Sequence, residues 1–265
     1  MQKNRVEFSV FTKPWKQQSI DELGKYISGL GFDGIEFPLR PGYQVEPENA
    51  EKGLPQLVKQ LGEYGLKVTS VAGSLEERVF AGCAAAGIPV VRIMAGNKAR
   101  MSYMEFIESK KKEIDEAIPL CKKYGIKVGI QNHYGPGVHD SMELRQLIQD
   151  YDPNHVGAIW DAAHSGLAGE EPEQGLDIVW SHLCMVNLKN AFFNRINGPE
   201  AEKAEWKRYF TTGKNGLASW PRVSEYLKGR GFNGVVCLTA EYSDEDQVNR
   251  LITEDIAYAK SLFQW

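Results

Sequence analysis

Four apolar runs in the second half of the chain each deliver an oxygen-bearing side chain at or near their ends. Residues 128–131 end on Gln131, residues 156–160 lead into Asp161, residues 183–188 carry Asn187, and residues 235–240 lead into Glu241. A carboxylate placed beside a carbonyl or hydroxyl is a general base, and carboxylate and amide oxygens together form a hard donor set. Side chains alternate along a strand, so Gln131 and His133 share a face, as do Asn187 and Lys189. His164 follows Asp161 by three residues, where the chain has left the strand and can turn back over the carboxylate. The bland alternative is that Asp161 caps the next helix and His164 is a loop residue.

These residues need strands that end together. Apolar strand patterns fall at residues 6–11, 35–37, 68–71, 89–94, 128–131, 156–160, 183–188 and 235–240. Helical patterns lie between them, at 19–31, 47–64, 75–86, 102–124, 141–150, 172–180, 219–230 and 243–263. Ser19 and Glu22 form a capping box. The joints repeat: Gly31-Phe32-Asp33-Gly34-Ile35 matches Gly231-Phe232-Asn233-Gly234-Val235, and Tyr64-Gly65-Leu66-Lys67-Val68 matches Tyr124-Gly125-Ile126-Lys127-Val128. Glycine just past a helix, then an apolar strand, is an αβ joint. Eight such units predict a single α/β domain over residues 1–265, a closed (β/α)8 TIM barrel, whose site forms at the C-terminal strand ends. A doubly wound open sheet is the runner-up, but neither GxGxxG nor a Walker loop occurs. The earlier strands then offer Lys13, Trp15, Glu36, Arg40 and Arg92 to the same face. Residues 194–216 form a long excursion that could fold over the mouth as a lid.

The totals narrow the partners. With 31 basic and 35 acidic residues the formal charge is −4, which argues against a nucleic-acid partner. No apolar run approaches the roughly 20 residues of a membrane span, so no membrane partner is expected. The four cysteines show no CxxC spacing and read as free thiols. A reducing, cytoplasmic setting is expected, and a homo-oligomer is left open.

With these residues in place, the chain resembles the sugar phosphate isomerase/epimerase family of xylose isomerase-like barrels, of the tagatose 3-epimerase type. In that family the metal ligands are a glutamate on strand five, an aspartate on strand six, a histidine on strand seven and a glutamate on strand eight. Asp161, with its DxxH partner His164, and Glu241 match; Gln131 and Asn187 replace the glutamate and the histidine. The resemblance implies a divalent ion, Mg²⁺ or Mn²⁺, held by Gln131, Asp161, Asn187 and Glu241, since an all-oxygen set suits a hard ion. It implies Glu241 as base, with His164 and Lys189 as further catalytic groups, and Trp15, Glu36, His133 and Arg195 as contacts to a small carbohydrate. Lys189 could instead simply neutralise Glu36.

The expected activity is metal-assisted sugar isomerisation or epimerisation, by proton abstraction next to a carbonyl or hydroxyl. Glutamine takes no proton, so a two-base exchange through Gln131 is disfavoured. A lyase or hydratase acting on a keto-sugar needs only one base and is the alternative. A sugar-binding barrel without catalysis is the reading from another class.

Overall fold

The computed structural model describes residues 6–264. Seven strands run in chain order, each paired in parallel with the next: β1 (Glu7–Phe11), β2 (Gly34–Pro38), β3 (Lys67–Ala72), β4 (Val90–Met94), β5 (Lys127–Gln131), β6 (Val156–Asp161) and β7 (Leu183–Leu188). An antiparallel hairpin, β8 (Asn190–Arg195) and β9 (Trp206–Thr211), follows. Then β10 (Val235–Leu238) lies between β7 and β1 and closes the barrel. Outside it stand α1 (Ile20–Gly29), α2 (Ala50–Gly62), α3 (Glu77–Ala86), α4 (Tyr103–Tyr124), α5 (Ser141–Ile148), α6 (Ala162–Leu167), α7 (Pro172–Val179), α8 (Trp220–Gly229) and α9 (Val248–Leu262). The closed ring replaces the open sheet held as runner-up.

Local chemistry sets these boundaries. Ser19 accepts from the Glu22 backbone while Glu22 reaches back to the Ser19 backbone, opening α1 with the capping box read from sequence. Gly125, at φ 66°, ends α4 in the left-handed conformation and hands the chain to β5. Strand alternation divides the core. Val156, Ala158 and Trp160 of β6 point outward into the main core beneath the helices, while Ile159 joins Phe11, Ala72, Met185 and Cys237 inside the barrel. Glycine at position 129 makes room for this: a Cβ there would stand 2.5 Å from Ile159 Cδ1.

Two features go beyond the sequence pattern. The chain enters α6 directly after Asp161, without a loop. The excursion at 194–216 contains the second arm of the hairpin, and its base is tied down by Asn190. That buried amide donates to the carbonyls of Gly213 and Ala218, both at 2.8 Å, and accepts from the Ala218 amide at 2.9 Å. All four cysteines are free thiols. Among the described residues no helix is long and apolar enough to cross a membrane.

Candidate active site at the barrel mouth

Five strands contribute to one buried relay. Glu36 of β2, fully buried, accepts from Arg92 Nε of β4 at 2.7 Å and from Ser70 Oγ of β3 at 3.0 Å. Arg92 Nη1 also donates to Gln131 Oε1 of β5 at 2.5 Å. Gln131 Nε2 donates in turn to Asp161 Oδ2 of β6 at 2.7 Å. The other oxygen of Asp161 caps α6, accepting from the Ala163 and His164 amides at 3.0 and 3.2 Å. Burial pushes the Asp161 carboxyl up, against the opposing pull of Lys189, the His164 amide and Gln131.

A second group faces it. Glu241 follows β10 and lies between two ammonium groups, with Lys189 Nζ 2.7 Å from Oε2 and Lys13 Nζ 2.5 Å from Oε1. Burial would raise this carboxyl; the charges of Lys189 and Lys13 outweigh it and hold Glu241 well below the usual carboxylate range. Lys189 is buried, and its ammonium rests 3.9 Å from the Phe210 ring centroid, on the hairpin. Ala240, just before Glu241, has φ 51°, a strained value for a non-glycine residue.

Three further polar side chains lie in the same layer. Asn187 is the register partner of Asp161 on β7, and neither of its buried amide atoms has a hydrogen-bond partner. His164 has no exposure, and neither ring nitrogen has a hydrogen-bond partner. Its Nε2 stands 3.9 Å from Asp161 Oδ2, too far for a hydrogen bond. Its ring packs on His133, with centroids 4.2 Å apart. Burial, then the positive charge of Lys189, lowers both imidazoles, His164 the more strongly. His164 is therefore neutral, a helix residue packed behind His133 and not itself lining the cavity.

A cavity of about 80 Å³ opens between Phe11, Arg92, Gln131, His133, Asn187 and Glu241. That is room for roughly three waters at about 30 Å³ each, enough for the reacting end of a small ligand. Arg40, Arg92, Met94 and His133 also line an adjoining groove of about 740 Å³, where a larger remainder fits.

Not every expected residue is gathered here. Trp15 is buried against Tyr26, and its indole donates to Asn249 Oδ1 at 2.9 Å, so it packs in the core rather than lining the cavity. Arg195 lies out on the hairpin, where its guanidinium binds the Gly198 carbonyl at 2.9 Å. Glu36 lies beneath the cavity, neutralised by Arg92 and not by Lys189. Arg92 and Lys13, which the earlier strands offer to this face, carry larger roles than expected, and Phe210 of the hairpin joins them. Alternation with Val90 and Met94 places Arg92 inward, and that signal was available in the sequence.

The four residues expected to hold Mg²⁺ or Mn²⁺ do not fit an ion as they stand. The Gln131 amide has one workable orientation: reversed, it would set an oxygen against Asp161 and an NH₂ against Arg92. Its oxygen is therefore taken by Arg92, and it faces Asp161 as a donor. Both oxygens of Asp161 and both of Glu241 already accept hydrogen bonds. Only Asn187 has a free oxygen. Three carboxylates here balance three cations, Arg92, Lys13 and Lys189. Among the described residues, the His, Asp and Glu atoms close enough to share one ion are those of His139, Asp140 and Glu143, at the start of α5.

A closed ring of parallel strands with charged, partly unsatisfied side chains at its C-terminal mouth defines a (β/α)8 barrel of the enzyme-bearing type. The profile of the xylose isomerase-like TIM barrel family matches residues 24–262, and the chain belongs to that family. A D-psicose 3-epimerase from Clostridium cellulolyticum H10, solved with D-tagatose, superposes with a TM-score of 0.73 at 12% identity, over 98% of this chain and 100% of the other. A 3-keto-D-glucoside 4-epimerase from E. coli, in apo form, gives 0.71 at 14% identity, over 97% and 100%. Identities at this level establish the fold alone. An inosose dehydratase of Mesomycoplasma hyopneumoniae strain 7448 is 26% identical over 152 residues, covering 54% of this chain and 50% of the relative. The chain thus spans about half the length of the curated relatives it matches.

Proposed function

We propose that this protein is a sugar-modifying enzyme that removes a proton from the carbon beside a carbonyl of a polyhydroxy ketone or aldehyde, with one base. The observation that carries this reading is the Lys189–Glu241 pair at 2.7 Å, on the rim of a cavity whose buried Asn187 amide has no partner. Glu241 takes the proton on Oε2, and the electron pair moves onto the carbonyl oxygen. Lys189 donates to that oxygen as it becomes an enolate. As Lys189 turns to the substrate, it loosens its hold on Glu241, and the carboxylate becomes a stronger base at the moment it is needed. Asn187 and His133, which line the cavity, offer hydrogen-bond donors and acceptors to substrate hydroxyls.

Return of the proton to the former carbonyl carbon, with the adjacent hydroxyl passing its proton to the enolate oxygen, completes an isomerisation on one face of the substrate. Epimerisation between two opposed bases is not supported, because the Gln131 amide accepts no proton and is held by Arg92 and Asp161. The second reading is dehydration, in which the carbanion expels a β-hydroxyl that leaves as water after taking the proton from Glu241. The likeness to inosose dehydratases over half their length favours it.

Incubation with ketoses, aldoses and inososes in deuterated water separates the two by mass. Isomerisation incorporates deuterium with no loss of water, and dehydration gives a product lighter by one water. Saturable binding with neither change supports a non-catalytic sugar-binding barrel and sinks the enzymatic proposal.

A further inference from the structure

At the barrel mouth the oxygens of Gln131, Asp161 and Glu241 are satisfied by the chain itself: by Arg92, by the Gln131 amide and the first amides of α6, and by Lys13 and Lys189. Gln131 is the pivot. Its amide is held in one orientation by Arg92, which itself is fixed by the fully buried Glu36. With its NH₂ toward Asp161, it fills the direction from which that carboxylate would reach an ion. Lys189 is the second element. It is buried, paired with Glu241, and backed by the Phe210 ring at 3.9 Å. Its ammonium is held between the Glu241 carboxylate at 2.7 Å and the Phe210 ring, at the rim of the cavity that Gln131 and Asn187 line. A dication entering here would meet Lys189, Lys13 and Arg92 at close range, and of the four expected ligands only Asn187 would offer an oxygen without a hydrogen bond. The ammonium and guanidinium groups would repel the ion at close range, weakly screened in a buried site, and they occupy the carboxylates that would otherwise attract it.

We infer that this barrel operates without a divalent ion: the Lys189 ammonium stands in for it as the positive charge beside the reacting oxygen, and the donor-first Gln131 amide closes the former ion position. The role given to Lys189 rests on the proton-abstraction reading above; the exclusion of the ion does not.

Mn²⁺ is titrated into EDTA-dialysed full-length protein by calorimetry, and melting is followed with and without the ion. A site with an affinity of about 10 µM would raise the melting temperature by roughly 5–10 °C at about 1 mM Mn²⁺. The wild type is expected to show neither saturable heat nor a shift. Gln131→Glu/Asn187→His sets two carboxylates face to face and adds an imidazole, and it is expected to gain the shift. Gln131→Glu alone serves if the double variant does not fold, and its gain is expected to be smaller. Micromolar Mn²⁺ binding by the wild type that Asp161→Asn abolishes, or a folded double variant that still binds no Mn²⁺, overturns the inference. Where a turned-over sugar is found, EDTA should leave wild-type exchange unchanged and Lys189→Met should lower it at least about 100-fold. Exchange that EDTA abolishes overturns the inference while leaving the one-base reading intact.

Discussion

Lys189 Nζ lies 2.7 Å from Glu241 Oε2, and the two residues come from neighbouring strand ends, one after β7 and the other after β10. The closed barrel is what makes them neighbours, since 52 positions separate them in sequence. The prediction is that Glu241→Gln keeps the fold and lowers solvent-deuterium exchange by about 10²–10⁴-fold, the range for loss of a positioned base. Lys13→Met should matter less to stability, about 0–1 kcal/mol, because its side chain is 45% exposed. Mass-detected exchange and thermal melts on the same preparations check both. Retention of most exchange by Glu241→Gln would remove this residue from the chemistry.

Arg92 and Glu36 form the most deeply buried ion pair at the site, with side chains 5% and 0% exposed. Removing one partner leaves the other charge without water, so Arg92→Met is predicted to cost about 3–5 kcal/mol. The double variant Arg92→Met/Glu36→Gln should recover part of that loss, because the stranded carboxylate is gone. Chemical denaturation of the wild type, both singles and the double gives the coupling. Additive losses would show that the pair is not what holds this layer.

How much of this was legible in the sequence follows from what each feature depends on. Asp161 and Glu241 end apolar runs, and a strand end at the barrel mouth is a place readable from one segment alone. The glycine joints were legible for the same reason, since a left-handed helix end is a local demand. Residues 190–195 and 206–211 were not read as strands because they are mostly half-exposed and mix aromatic with polar types, so no inside-outside period marks them. Trp15 suits a core as well as a sugar face, and only its bond to Asn249, far along the chain, decides. The direction of the Gln131 amide was beyond reach, because it is set by Arg92 and Asp161 on two other strands. The fit of an ion turns on the same point: counting oxygens does not say which already accept hydrogen bonds.

Asp255 supplies a pH-dependent test away from the mouth. It accepts from the Gly213 amide at 2.9 Å and from Tyr242 Oη at 2.8 Å, and burial raises it to about 6. Its unfolded value is about 3.9, so between about pH 4 and 6 the folded state holds the extra proton. Its contribution is therefore fully present below about pH 4 and is lost as pH rises through 6, at up to about 1.4 kcal/mol per pH unit. Asp255→Asn can keep both bonds with the Tyr242 hydroxyl reversed, and it carries no charge. The variant should be more stable than the wild type at pH 7 by about 1–3 kcal/mol, with the difference gone at pH 4. Urea denaturation at both pH values checks this, and a difference independent of pH would count against the assigned shift.

His164 gives the opposite sign. It is fully buried with both nitrogens unpartnered, and burial, reinforced by Lys189, holds it well below the ordinary histidine value. The unfolded chain takes up a proton near pH 6.5 that the folded chain refuses. Stability from this residue is thus present above pH 6.5 and falls as the solution is acidified, by up to about 1.4 kcal/mol per pH unit until the folded pKa is reached. His164→Phe keeps an aromatic ring between His133 and Phe210, where centroids now stand at 4.2 and 6.1 Å, and removes two unsatisfied polar atoms. It should match or exceed wild-type stability at pH 7 and gain on it by about 2 kcal/mol at pH 5, read as the change in denaturation midpoint across that interval. If His164 also contacts the sugar, the same variant raises KM while leaving the Lys189–Glu241 pair, and hence most of kcat, in place. Parallel pH profiles for the variant and the wild type would mean that the imidazole is charged in the folded protein and that its nitrogens have a partner after all.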